Sequence, residues 1–169
     1  MENNLENKIE LKDRIIFFYK KNKFKILLII LILLISLITT VIFKINFEKK
    51  NKLISEKYIT AGLYIASNEI EKSKQIFEEI ILSKNKFYSV LALNSILEKN
   101  LITDKKKILN YFGIVEKVIE NKDQLELIKF KKALYLIKNS ETDKGNKLIK
   151  SLIEKDSKYK KLFEELLVK

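Results

Sequence analysis

The chain has 169 residues, with 34 Lys+Arg against 22 Asp+Glu and a formal net charge of +12. Cysteine and histidine are absent, which excludes thiol nucleophiles, disulfides and any His- or Cys-ligated metal site. Proline is also absent and only Gly62, Gly113 and Gly145 are glycines, which argues against turn-rich β architectures and Gly-rich phosphate loops and for an all-α chain.

In chain order, residues 1–25 form a short basic head. Leu11, Ile15 and Phe18 with Lys12, Lys20 and Lys21 fit an amphipathic helix lying among lipid headgroups, or equally the first turns of a membrane helix. Residues 26–43 (ILLIILILLISLITTVIF) carry no charge over 18 positions. At ~1.5 Å per residue that is close to the ~30 Å hydrocarbon core of a bilayer. Lys25 and Lys44 bracket the stretch and can snorkel to the two interfaces. A buried core helix would need polar positions on one face, and only Ser36, Thr39 and Thr40 interrupt this one, so the stretch reads as a transmembrane helix. It exceeds the ~7–15 residues of a signal-peptide core, and Lys44, Ile45, Asn46 and Phe47 stand where small residues would mark cleavage. An uncleaved signal-anchor follows. Ser36 and Thr40 share a face with the small-xxx-small spacing that could seat another helix, and the favoured reading is that each hydroxyl bonds a carbonyl one turn back. Six positive charges in residues 11–25 against five in 44–58 scarcely orient the span by charge.

Residues 44–52 read as a linker or a helix continuation, and residues 53–169 as a helical domain. Apolar residues recur there at three- and four-residue intervals, predicting helices over 51–67, 69–83, 86–99, 104–120, 123–138, 140–153 and 157–167. Asn68 with Glu71, and Ser140 with Asp143, have the spacing of a cap followed by an acid, and Thr103 and Asp156 are further candidate caps. The short loops predict antiparallel neighbours. Ala61, Tyr64, Ser73, Phe77 and Ile80, advanced by 72 positions, fall on Ala133, Leu136, Gly145, Ile149 and Leu152, small on small and apolar on apolar. That offset is two periods of 36, near the ~34-residue tetratricopeptide repeat. The middle repeat is degenerate: Ala92 and Ile108 fit only in a shifted frame that puts Asp104 where a small residue belongs. A tetratricopeptide-like solenoid of antiparallel helix pairs is expected, with an irregular bundle as the alternative.

The basic charge is almost entirely lysine, with Arg14 the one arginine. Arginine is the residue suited to bidentate phosphate and base contacts. Lys, Ile and Asn are abundant together, as in AT-rich coding, so nucleic acid is not an expected partner. The adjacent acids Glu78/Glu79 and Glu164/Glu165 point about 100° apart on a helix and read as solvated faces. No enzyme activity, cofactor or small-molecule substrate is expected.

The order of a head with Phe18, Tyr19, Lys20, Lys21, Asn22 and Lys23, one span, then Ser73-x-x-x-Phe77 and the Tyr88, Ser89, Ala92 segment resembles the YfgM-like family of bacterial inner-membrane proteins, ancillary subunits of the SecYEG translocon. The sequence departs from that pattern at Asn68 and Asn100, where the family has glycines between hairpins. The resemblance implies an N-terminus in the cytoplasm and a periplasmic helical domain that contacts the translocon and periplasmic chaperones or emerging polypeptides. In such a stack the first helices line a concave, partner-binding surface, here expected by helix register to include Tyr58, Gly62, Ile65, Tyr88, Phe130, Leu134 and Ile137, with ordinary core packing the alternative for each of them. An envelope-assembly or cell-division scaffold using the same groove is the alternative.

Overall fold

The computed structural model describes residues 2–155 and 157–167, and every regular element among these described residues is a helix. Among the described residues seven helices follow one another: α1 (Glu2–Ala66), α2 (Ile70–Leu82), α3 (Tyr88–Glu98), α4 (Lys105–Val118), α5 (Lys122–Lys138), α6 (Thr142–Ile153) and α7 (Lys160–Leu167). The chain divides into two compact units, Met1–Lys50 and Asn51–Lys169.

In the first unit, α1 runs through the head, the apolar stretch and residues 44–52 without a break. No proline or glycine occurs before Gly62 to interrupt it. Its most apolar 18-residue window has a mean hydropathy of 3.3 and no buried residue. An exposed apolar surface of that length is long enough to cross a membrane, and it is not the core of a folded unit. Within it Thr39 donates to the Ile35 carbonyl at 2.8 Å and Thr40 to the Leu37 carbonyl at 2.8 Å, so both hydroxyls are satisfied within their own helix.

The second unit holds the core. α2 packs on α3 and α4, α3 on α4, α4 on α5, α5 on α6, and α6 on α7. One apolar cluster joins Ile54 and Ala61 of α1 to Phe77, Ile80 and Ile81 of α2, Ala92, Leu93 and Ile96 of α3, and Ile108, Phe112 and Val115 of α4. A second gathers Phe130 and Ala133 of α5, Ile149 and Leu152 of α6 and Phe163 of α7. α5 serves both, since Ile128 belongs to the first cluster, with Leu125 and Tyr135 packed against it. Nine of the ten residues matched by the 72-residue offset are buried, Tyr64 being half-buried. Close approach explains the small ones. A Cβ on Gly145 would collide with Ile137 Cγ1 and come within 2.7 Å of the Ala133 carbonyl oxygen.

The turns show how the helices stop. Asn68, Asn100 and Ser140 have positive φ (60°, 54° and 65°). Beyond each, the next amide reaches back to a carbonyl five residues earlier: Glu69 to Tyr64, Leu101 to Ile96 and Glu141 to Leu136. This is the left-handed C-terminal stop that satisfies the last carbonyls of a helix. Asn68 and Ser140 therefore close the preceding helix; they do not cap the next. The N-caps of α2 and α6 are Glu69 and Glu141, with no side-chain capping bond. At α4 the cap is Asp104, whose carboxylate accepts from the amides of Lys106 and Lys107, and not Thr103. Asp156 lies outside the described residues. Lys84, at φ 57°, ends α2, and Asn85 starts the next helix by accepting from the amides of Phe87 (3.1 Å) and Tyr88 (2.9 Å).

Among the described residues nothing bonds the Ser140 side chain to hold it left-handed, so Ser140→Gly is expected to stabilise the domain by about 0.5–1 kcal/mol by removing the Cβ clash. Denaturant unfolding of the two proteins in the same detergent measures this.

Candidate functional site

Two helical stripes face each other across a cleft of about 580 Å³ in the second unit. On α3 and the turn after it are Asn94, Leu97, Glu98 and Asn100; on α5 are Lys131, Leu134, Tyr135 and Lys138. The α5 residues follow the i, i+3, i+4, i+7 spacing that puts four side chains on one face. Lys131 Nζ donates to Asn94 Oδ1 at 2.7 Å and bridges the two helices at one end. Asn100 and Asn139, beside the stops of α3 and α5, mark the other end. Ile96 and Ile102, both buried, form the apolar floor.

The cleft is mixed in chemistry. Leu97, Leu134 and Tyr135 offer apolar surface, while the asparagines carry both donors and acceptors. Neither Lys131, Lys138 nor Glu98 has an ion-pair partner among the described residues. Burial pushes the Tyr135 phenol above its ordinary value of 10.0, and the Asp104 carboxylate adds to the shift. In the first core, burial and then the Glu78 carboxylate do the same to Tyr111. A phenol whose folded pKa is raised holds its proton more tightly when folded. Its contribution to stability is therefore complete below about pH 10 and is lost as pH rises through the folded value. Tyr111→Phe and Tyr135→Phe are each expected to make the alkaline loss of stability shallower, read as unfolding midpoints measured below and above pH 10.

The residues expected to line a groove are distributed differently. Leu134, 37% exposed, lines the cleft. Tyr58 and Tyr88 do meet, with ring centroids 5.9 Å apart, but both pack on the first core. The Tyr58 hydroxyl also lies 3.1 Å from Ser95 Oγ and its ring 5.6 Å from Phe77. Ile65 packs on the same core. Phe130 is a correction: it is 7% exposed, stacked 4.7 Å from Phe163, and is core. Ile137 packs on the second core against Gly145, and Gly62 has nothing within 4 Å of where a Cβ would be. Asn94, Leu97, Lys131, Tyr135 and Lys138 were not foreseen as one site; the stripe spacing on α5 was the available signal.

The buried carboxylate of Glu126 accepts from Ser157 Oγ at 2.5 Å and is 4.0 Å from Lys122. It ties α5 to the connection after α6 and is not among the cleft residues. Among the described residues no group of three or more acids could hold a metal ion.

No protein-family model matches the chain, and no curated protein or solved structure matches it. What the fold defines is an all-helical domain following one helix long and apolar enough to span a membrane.

Proposed function

We propose that this protein is a non-enzymatic, membrane-anchored adaptor whose domain is a tetratricopeptide-like stack of three hairpins, α1/α2, α3/α4 and α5/α6, holding a polypeptide segment between α3 and α5. The cleft carries the reading: it lies between the first helices of the second and third hairpins, where a stack of helix pairs is concave. Its apolar centre suits a side chain and its asparagines suit the backbone amides of a bound segment.

Two regularities support the stack. The same left-handed stop occurs in the turn of each hairpin, at Asn68, Asn100 and Ser140. Polar contacts between successive hairpins also join residues one repeat apart: Asn85 to Asn51 and Lys86 to Glu120 at 34 residues, Lys131 to Asn94 and Tyr58 to Ser95 at 37.

By its resemblance to the YfgM-like family, the anchor would sit in a bacterial inner membrane with the N-terminus cytoplasmic. The partners would be the SecYEG translocon and periplasmic chaperones or emerging polypeptides. A photo-crosslinking residue at Leu134 in the full-length, membrane-inserted protein tests this, with exposed Lys161 as the control position. Adducts at Leu134 with translocon subunits or chaperones are expected. Adducts with division or outer-membrane assembly proteins would replace the partners with those of an envelope scaffold. Adducts no different from those at Lys161 would overturn the cleft as a binding site.

A further inference from the structure

The α2–α3 turn presents a surface that neither core uses. Leu82 is 57% exposed and Phe87 is 61% exposed at its two ends. Lys84 and Lys86 lie between them, both exposed. Lys86 shares its charge with exposed Glu120 at 2.5 Å, whereas Lys84 has no ion-pair partner among the described residues. Large apolar side chains interleaved with lysines are the composition of an interfacial membrane contact, the apolar groups entering the headgroup–acyl boundary and the ammonium groups meeting anionic headgroups.

The place of the turn within its unit points to the same partner. Asn85 Nδ2 donates to Asn51 Oδ1 at 2.7 Å, so the turn is fastened to the first residue of the domain. In sequence Asn51 comes eight residues after Phe43, the last apolar residue of the candidate span. Eight residues reach no farther than ~29 Å even when fully extended. A contact of two apolar side chains and two lysines is weak for a free protein. A tether this short makes it an intramolecular event at high effective concentration, and a weak contact then suffices.

We propose that the α2–α3 turn, through Leu82, Phe87, Lys84 and Lys86, is a second membrane contact that seats on the anionic lipid surface beside the protein's own span. The inference rests on the reading of residues 26–43 as that span. The chain contains no tryptophan, so a single introduced one reports its own surroundings. Full-length Phe87→Trp, Phe43→Trp and Ser67→Trp proteins are reconstituted into vesicles of phosphatidylglycerol and brominated phosphatidylcholine. Ser67 is an exposed residue in the α1–α2 turn.

The expected result is blue-shifted, bromine-quenched emission from Phe87→Trp at the ~5–10 Å depth of interfacial insertion. Ser67→Trp stays water-like. Adding Lys84→Glu to Phe87→Trp is expected to reduce its quenching, with no change at Phe43→Trp. Quenching at Phe43→Trp with Phe87→Trp in water overturns the contact while keeping the span. Loss of quenching at Phe43→Trp overturns the span, and the contact with it. Equal quenching of Phe87→Trp in vesicles of phosphatidylcholine alone overturns the assignment to anionic lipid.

Discussion

Gly145→Ala is expected to destabilise the domain by about 1–2 kcal/mol, while the same change at Gly62 or Gly113 stabilises it by about 1 kcal/mol. All three glycines lie within helices, where alanine is favoured by about 1 kcal/mol over glycine. At Gly62 and Gly113 nothing lies within 4 Å of an added Cβ, so the helical preference acts unopposed. At Gly145 the new methyl meets the Ala133 carbonyl oxygen at 2.7 Å. That oxygen belongs to the α5 backbone and cannot turn aside as a side chain would, so α5 and α6 must move apart. Overpacking of this kind costs ~1–3 kcal/mol and sometimes more, which exceeds the propensity gain. Thermal or denaturant unfolding of the three variants in one detergent decides it. A stabilised Gly145→Ala would mean that α5 and α6 are not packed this closely.

Phe163→Ala is expected to cost about 3–4 kcal/mol, in the range for a buried phenylalanine truncated in a core. Phe163 is fully buried and stacks on Phe130 at 4.7 Å and on Tyr159 at 6.1 Å. α7 has eight residues, too few to hold a helix in water without packing. Losing the ring should therefore release the helix as well as open a cavity, and the denaturant dependence of unfolding should become shallower as less surface remains to be exposed. Exposed Lys161→Ala on the same helix is expected to change stability by no more than ~0.5 kcal/mol.

How much of this was legible in the sequence differs by level. The helices were, because a 3.6-residue apolar rhythm survives even in a lysine-rich chain: 69–83 was expected and Ile70–Leu82 found, 123–138 expected and Lys122–Lys138 found. Their ends were less so. Asn and Ser form local bonds in several turn types, so Asn68 and Ser140 read as starts although the backbone uses them as left-handed stops. Asp104 was set aside as a poor repeat residue, yet its carboxylate begins α4.

The cleft was harder still. α5 carries apolar residues on more than one face because Leu125 and Ile128 serve one core and Phe130 and Ala133 the other. Choosing the exposed stripe needs knowledge of which neighbours cover which face. Leu134 lies on the face of α5 that lines the cleft, whereas Phe130, one turn earlier, packs into the second core against Phe163 of α7. Side chains from another helix leave no mark in local periodicity.

The double allegiance of α5 has a consequence for opening motions. Ordinarily two apolar clusters could come apart as separate cooperative units, but one helix forms a wall of both, so neither can open fully without disturbing the other. Backbone amides along α5 should therefore be among the slowest in the domain to exchange with solvent. A segment held against Lys131, Leu134 and Lys138 would steady that helix, and with it α6 and α7, which contribute no cleft residue. Occupancy of the cleft would then be written into exchange rates at the far end of the chain.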